Sequence, residues 1–289
     1  MRSTLTINPP HLWAVRLWLP SLLAVIVFAT FIAHLHFTFG WKWALLGAVG
    51  AAIGAVFLWS GFGFSYTWRA FARNGSGSGL RAQFLWIGLA AAPCAVLMGV
   101  GDWVASPAAA NVRPLSAGVL VGGFIFGIGM QLGGACTSGA MMALGEGRLL
   151  SLWSLLLFVV GALLAASQMS FWSELPAVAP FSFYREWGLA GVMLTSLLAL
   201  LLALATLAFP QRQNDKKAVK RLYWGAAALA GLSVLALYLG RQPWGIVNGI
   251  TILGGKALLS VGVEDVEFWD YWATMPRGEE LLAGAIFDG

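Results

Sequence analysis

The chain has 289 residues, of which 59% are hydrophobic and only 10% are charged, and its net charge is +5. Together with a mean hydropathy of +0.79, this composition lies far outside the range of soluble domains and predicts an integral membrane protein. The surplus of positive charge is explained by basic loops that set membrane topology, so no nucleic-acid partner is predicted.

Long apolar windows follow one another along the chain. A helix that crosses a bilayer needs about 20 apolar residues. Seven such windows are present: Leu19–Phe39, Trp43–Ser65, Ala82–Val104, Leu115–Gly134, Leu149–Met169, Gly188–Phe209 and Leu222–Leu239. An eighth, Trp244–Val263, is interrupted by glycines and is expected to form a short, re-entrant or broken helix. We therefore predict an all-α polytopic membrane protein with seven or eight transmembrane helices, in a multi-pass arrangement within the lipid bilayer.

Basic residues indicate the orientation in the membrane. They cluster in two loops, Arg69–Arg81 and Arg212–Arg221, which the positive-inside rule assigns to the cytoplasm together with the amino terminus. The first apolar window lacks a small-residue cleavage pattern and is interpreted as a retained helix. We expect a protein of the bacterial inner membrane.

Two segments suggest divisions of the chain. The Gly/Ser segment Asn74–Gly79 has the composition of a linker, and the charged loop divides the apolar sequence into two blocks. The predicted organisation is a first membrane half at 1–210, a cytoplasmic basic loop at 211–221 and an incomplete second membrane half at 222–289. A weak repeat connects the halves, because Gly61-Phe62-Gly63-Phe64 and Pro243-Trp244-Gly245-Ile246 each follow an apolar run, as in transporters with pseudo-symmetric halves.

The most informative segment is Gly122–Gly147, GGFIFGIGMQLGGACTSGAMMALGEG, which places nine glycines around Cys136. Glycine lets helices approach closely and break, and a broken helix inside a bilayer is tolerated where it is buried or lines a cavity. The segment is therefore predicted to line a pathway shaped by Gly133, Gly134 and Gly139. Pairs of small residues at this spacing are also typical of helix packing.

Cys136 is the leading candidate for contact with a substrate. Backbone N–H groups at the start of a half-helix bind anions without carrying a full charge, and the hydroxyl groups of Thr137 and Ser138 add donors. A neutral thiol is a weak, polarizable donor suited to a sulfur-containing ion that must also leave. The alternative is that Cys136 is a small residue at a close helix contact.

Three further polar residues are candidates for the pathway. Lys256, within an apolar stretch, either attracts an anion or extends its ammonium group to the membrane interface. Gln131 and Asn248 either line the path or bond to a neighbouring backbone.

Cys94 follows Pro93 in an apolar helix and has three interpretations: packing, a second thiol on the pathway, or a partner for Cys136. Glu146 and Arg148 are interpreted as an interfacial ion pair, and Asp102 as a solvated residue at a helix end. His34 and His36 lie two residues apart on different helix faces, so no metal site is predicted.

The chain resembles the YeeE/YedE family of sulfur transporters in two places. The segment Gly122–Gly147 is similar to the family's glycine-rich cysteine turn, and GRQPWGIVNGITILGGKALLSVG at Gly240–Gly262 is similar to the Pro-Trp-Gly stretch that opens the second half of longer members. The resemblance implies two pseudo-symmetric halves, short helices that meet at the midplane, and cysteines that pass a thiosulfate-like ion along. Only Cys136 falls on the family's motif.

Two functional classes follow. The favoured one is a permease for thiosulfate or a related sulfur species, and the other is a membrane thiol enzyme or sulfur relay that uses Cys136 and Cys94. The second glycine-rich cysteine turn of the family is missing, so the expected alternatives include a truncated product, a shortened homologue, and a half-protein completed by a second chain or homo-oligomer. A soluble sulfur-carrier protein is a further candidate partner. No cofactor is predicted, and no phosphate-binding loop is present in the sequence.

Overall fold

The computed structural model describes residues 10–99, 112–210, 216–275 and 278–284, and these residues form mainly α-helices. The chain divides into two units, Met1–Gly50 and Ala51–Gly289. The first unit contains α1 (Pro10–Phe39) and the first half of α2 (Trp41–Ser60). Gly40, with φ of 92°, joins them, and Gly47 gives α2 a close contact with Leu35 and Ile32 of α1.

The second unit continues through a series of helices of very different lengths. After the end of α2 come α3 (Phe64–Asn74), α4 (Ser78–Gly99), α5 (Ala117–Leu132), α6 (Thr137–Gly145), α7 (Leu150–Ser167), α8 (Met169–Glu174), α9 (Phe183–Ala205), α10 (Lys216–Gly240), α11 (Ile246–Ser260), α12 (Asp270–Ala273) and α13 (Gly278–Ala283). Two 3₁₀ turns lie at Thr206–Ala208 and Glu264–Phe268. The two-residue strands β1 (Leu115–Ser116) and β2 (Ala177–Val178) pair antiparallel and hold the start of α5 beside the loop after α8.

The hydropathy prediction is confirmed. Within the described residues, seven spans are long and apolar enough to cross a membrane, and the shorter apolar helix α11 corresponds to the eighth window. The glycines of α11 do not break it. Instead they permit close packing, because a Cβ atom on Gly254 would lie 2.8 Å from Cγ1 of Val159 in α7.

Two of the seven spans are broken between separate helices, and a third, Glu186–Ala208, has a kink near its start at Gly188, where φ is 57°. The span Trp41–Asn74 changes direction at Gly61–Gly63 between α2 and α3, and the span Ala117–Gly145 changes direction between α5 and α6. Gly61 has φ of 63° and Gly134 has φ of 77°, a left-handed conformation that residues with a Cβ atom adopt at a cost. The sequence breaks its helices where these glycines lie.

Helix α4 organises the packing of the second unit, since α9, α10 and α3 all contact it. A second group forms where α7 packs against α6 and α11. Small residues allow these approaches: a Cβ atom on Gly88 of α4 would lie 3.0 Å from Leu200 of α9, and one on Gly225 of α10 would lie 2.3 Å from Cβ of Ser60.

The predicted sequence repeat has a structural counterpart. Gly63 precedes α3 with φ and ψ of −142° and 126°, and Gly245 precedes α11 with −148° and 108°. The aromatic residues before them, Phe62 and Trp244, both contact the indole of Trp86, at ring-centroid distances of 5.5 Å and 6.4 Å. The two helix starts therefore share one aromatic centre on α4.

Parts of the two segments that were predicted to divide the chain have regular structure. Within the expected linker, Ser76 and Gly77 are buried in a short turn between α3 and α4, and the buried Ser78 begins α4. The N–H of Gly77 donates to the carbonyl oxygen of Pro210. The predicted loop 211–221 is helical from Lys216 onward. Helix α10 packs on α4 and α11 packs on α7, so helices that follow this loop contact helices that precede it.

Candidate functional site

The starts of two helices from distant parts of the sequence meet at Cys136. Gly63 is the N-cap of α3 and Cys136 is the N-cap of α6. The backbone N–H of Cys136 donates to the Oγ atom of Ser65, in the first turn of α3, at 2.6 Å. Both helix starts thus direct unpaired N–H groups and the positive ends of their dipoles toward the same place.

The Cys136 thiol lies inside this junction and is 7% exposed. Its Sγ atom is 3.2 Å from the Oγ atom of Ser138. The Ser65 hydroxyl, which accepts from the Cys136 N–H, and the Ser138 hydroxyl beside the sulfur are both neutral, and they come from the two helix starts.

A cavity of about 310 Å³ opens in front of the thiol. Its wall combines the two helix starts with α6 and the end of the glycine-rich segment, and it includes Gly63, Tyr66, Gly134, Cys136, Gly139 and Met142. Arg69 and the Arg148–Glu146 ion pair, which has an N···O distance of 2.5 Å, complete the lining. The cavity offers one partly buried guanidinium group, several weak donors and a thiol, which suits a small anion that contains sulfur.

Arg69 connects the cavity to α5. Its Nε atom donates to Oε1 of Gln131 at 3.1 Å, and its Nη2 atom donates to the backbone oxygen of Gln131 at 3.3 Å. A cation at the carboxyl end of a helix is stabilised by the helix dipole. Arg69 also borders a separate, mainly apolar groove of about 870 Å³ between α3 and α5, which has Gln131 and Gly134 in its wall.

The structure brings together part of the predicted site. Gly134, Cys136 and Gly139 line the cavity, and Ser138 contacts the thiol. Gly133 ends α5, and the buried Thr137 begins α6. Gln131 was expected to line the path or to bond to a neighbouring backbone. In the structure its side chain accepts a hydrogen bond from the side chain of Arg69 instead.

Other predicted residues lie apart from this cavity. Lys256 and Asn248 are on α11, which packs on α6 and α7, but neither residue lines the Cys136 cavity. Lys256 is 7% exposed, so its side chain does not extend to the protein surface. The Oδ1 atom of Asn248 accepts a hydrogen bond from the Tyr271 hydroxyl at 3.4 Å.

The two cysteines are not joined. Cys94 is half-buried in α4, does not line the cavity, and is a free thiol like Cys136. Glu146 and Arg148 form the ion pair that the sequence predicted. Asp102 lies outside the described residues.

Sequence reasoning missed Ser65, Tyr66 and Arg69, which α3 contributes to the site. Ser65 and Cys136 are 71 positions apart, so no local pattern connects them. A signal was nevertheless present: the Gly-Phe-Gly break that resembles Pro-Trp-Gly marks the start of a short helix, and such starts form binding sites in transporters.

These features define a class of protein: a polytopic helical membrane protein with broken spans whose helix starts face an internal cavity. A family model described as sulphur transport matches residues 59–287, so the chain belongs to this family of transporters, known also as YeeE/YedE. The match begins just before the break at Gly61 and contains every residue of the Cys136 cavity.

A curated relative supports the same assignment. The thiosulfate transporter TsuA of Spirochaeta thermophila is 38% identical over 63 residues, a match that covers 22% of this chain and 19% of that protein. The chain therefore matches about a fifth of the length of this relative. No solved structure matches the chain.

Proposed function

We propose that this protein carries thiosulfate or a related sulfur-containing ion across the bacterial inner membrane, along a glycine-lined pathway that passes the Cys136 thiol. The observation that carries the proposal is the meeting of the α3 and α6 starts at Cys136, where the Cys136 N–H binds Ser65 and a cavity opens in front of the sulfur. Family membership supports transport of sulfur species, and the similarity to a thiosulfate transporter supports thiosulfate.

The chemistry of the cavity fits such an ion. The two helix starts and the guanidinium of Arg69 favour negative charge, and they replace part of the hydration shell that the ion loses. The thiol donates a weak S–H···S or S–H···O hydrogen bond to the ion. Because the contacts to the thiol are weak, the ion is released again, as passage requires.

The rest of the pathway follows from the same reasoning. Gln131 joins the cavity to the groove between α3 and α5 through Arg69, and this groove gives the ion a route along the glycine-rich helix. Lys256 and Asn248 belong to the part of the pathway beside α11, where a buried lysine lowers the cost of an anion inside the membrane. Cys94 serves in packing α4.

The orientation and assembly are part of the proposal. We infer a cytoplasmic amino terminus and a cytoplasmic position for the basic segments around Arg69–Arg81 and Lys216–Arg221. The N–H of Gly77, within the first basic segment, bonds to Pro210, which shortly precedes the second. This contact supports a position of both segments on the same side of the membrane. A second copy of the chain or another chain completes the pathway, and a soluble sulfur carrier receives the ion.

Uptake of radiolabelled thiosulfate into proteoliposomes that contain only this chain tests the proposal. We expect wild-type protein and Cys94→Ala to take up thiosulfate, and Cys136→Ala to lose most of the uptake. Cys94→Ala is the matched control because it removes the other thiol of the chain. Equal uptake by Cys136→Ala and the wild type would refute the role of this thiol, and no uptake by well-folded wild type would refute transport by the chain alone.

A further inference from the structure

A second cavity lies on the other side of α3 and differs in chemistry from the Cys136 cavity. Its volume is about 580 Å³, and it is bounded by the end of α2, the α3–α4 turn and the start of α10. Its polar lining consists mainly of Ser60, Thr67, Asn74, Ser76, Ser78 and Arg221. None of the lining residues is acidic, so the only charge in the wall is positive.

The hydroxyl groups in this wall are held in place by burial. Thr67 and Ser78 are 4% exposed, and the Oγ atoms of Ser76 and Ser78 lie 3.3 Å apart. Among the described residues, the structure gives the Thr67 hydroxyl no hydrogen-bond partner. Fixed hydroxyl groups beside an arginine are a set of donors that matches the oxygens of an oxyanion.

A helix start adds further donors. Helix α4 begins at Ser78, and its first internal hydrogen bond is donated by the N–H of Arg81 to the carbonyl oxygen of Gly77. The N–H groups that precede Arg81 have no acceptor within the helix. The wall therefore combines a guanidinium group, buried hydroxyl groups and the positive end of a 22-residue helix.

The two cavities share part of their walls. Gly61 and Tyr66 line both of them. Gly61 forms the break after α2, and the Tyr66 side chain is 66% exposed and thus lightly packed. The two cavities are therefore neighbours on either side of Gly61 and Tyr66.

We propose that this second cavity is a binding station for the transported oxyanion, one that recognises oxygens rather than sulfur. The inference rests on the proposed function for the identity of the ion. Since guanidinium and hydroxyl groups are hard donors and the wall contains no thiol, the station binds sulfate and thiosulfate alike. Discrimination between the two ions takes place at Cys136.

Equilibrium binding of radiolabelled thiosulfate to purified full-length protein tests the station without any need for transport. In the Cys136→Ala background, one class of sites remains, and unlabelled sulfate displaces the label as effectively as thiosulfate does. Adding Arg221→Gln weakens this binding about tenfold, the change expected when a charge-assisted hydrogen bond is lost. Lys220→Gln, which removes the same charge from the neighbouring position of α10 outside the cavity wall, leaves the affinity within about twofold.

The outcomes separate this inference from the proposed function. Identical affinities of Cys136→Ala with and without Arg221→Gln, or no binding by folded Cys136→Ala, would overturn the second station while leaving the uptake result for Cys136 untouched. Failure of wild-type uptake would instead count against transport, and the binding assay would still report on the station.

Discussion

Among single residues, Cys136 is held in position by a contact with a second helix. The thiol is not placed by its own helix alone, because Ser65 of α3 accepts a hydrogen bond from the backbone of Cys136. Ser65 is 3% exposed, so no water replaces a lost partner easily. The sulfur and its donors are consequently held by a contact between two helix starts.

Replacing Ser65 by alanine is expected to impair transport through this contact. The Cys136 N–H loses its acceptor, which costs about 1–3 kcal/mol in a buried site. We expect Ser65→Ala to lower the thermal unfolding temperature in detergent and to reduce the initial rate of thiosulfate uptake. Ser167→Ala is the control, since this exposed serine bonds only to Leu164 in its own helix. An uptake rate for Ser65→Ala equal to that of Ser167→Ala would contradict the positioning role.

Gly134 offers a test of the helix break itself. Its φ of 77° strains any residue with a Cβ atom, although the space around it is open. We expect Gly134→Ala to destabilise the protein by about 1–2 kcal/mol. Gly129→Ala, which lies inside α5 with equally open surroundings, is expected to be neutral or slightly stabilising because alanine favours a helix. Thermal unfolding of the two variants measures the difference, and equal shifts would show that the break does not need glycine at 134.

At the scale of elements, Arg81 connects three parts of the second unit. From α4, its guanidinium donates to Oγ1 and the backbone oxygen of Thr206 and to the hydroxyl of Tyr223 in α10, at distances between 3.0 and 3.3 Å. This planar fork is a property of arginine that lysine does not share.

Arg81→Lys is therefore expected to destabilise the packing of α4, α9 and α10 even though the charge is kept. Losing two of the three hydrogen bonds is expected to lower the free energy of unfolding by about 1–3 kcal/mol. Arg73→Lys makes the same exchange at an exposed position of α3 and should leave the unfolding temperature nearly unchanged. If the two variants unfold at the same temperature, the fork does not contribute to stability.

The helices also show which features of the sequence were sufficient to predict the structure. Hydropathy located the seven spans, because crossing a bilayer fixes the length and the apolar character of a helix. Glycine content was ambiguous: Gly134 breaks a helix, whereas Gly254 and Gly255 lie inside one and provide space for Val159 and Trp272. Only the backbone conformation separates these two uses of glycine.

At the scale of the whole chain, the limits of sequence reasoning come from long-range contacts. The glycine-rich surroundings predicted Cys136 as a candidate, but Ser65 and Arg69 were not predicted, because no local sequence pattern joins them to position 136. The Gly/Ser composition of Asn74–Gly79 suggested a linker, yet its buried turn packs on Thr206 and Phe209. Small residues serve tight packing as well as flexibility, and composition does not distinguish the two.

In the proposed mechanism, the transported ion occupies the cavity in front of Cys136. The most direct test is the rate at which a small thiol-specific methanethiosulfonate reagent modifies Cys136 in the Cys94→Ala protein as thiosulfate is increased, followed by mass spectrometry. Because thiosulfate itself reacts with the reagent, this rate is divided by the rate for trace glutathione in the same mixture. We predict that thiosulfate slows the modification with the same half-saturating concentration as uptake, and that sulfate protects less. A modification rate that stays constant at thiosulfate concentrations that saturate uptake would contradict the account.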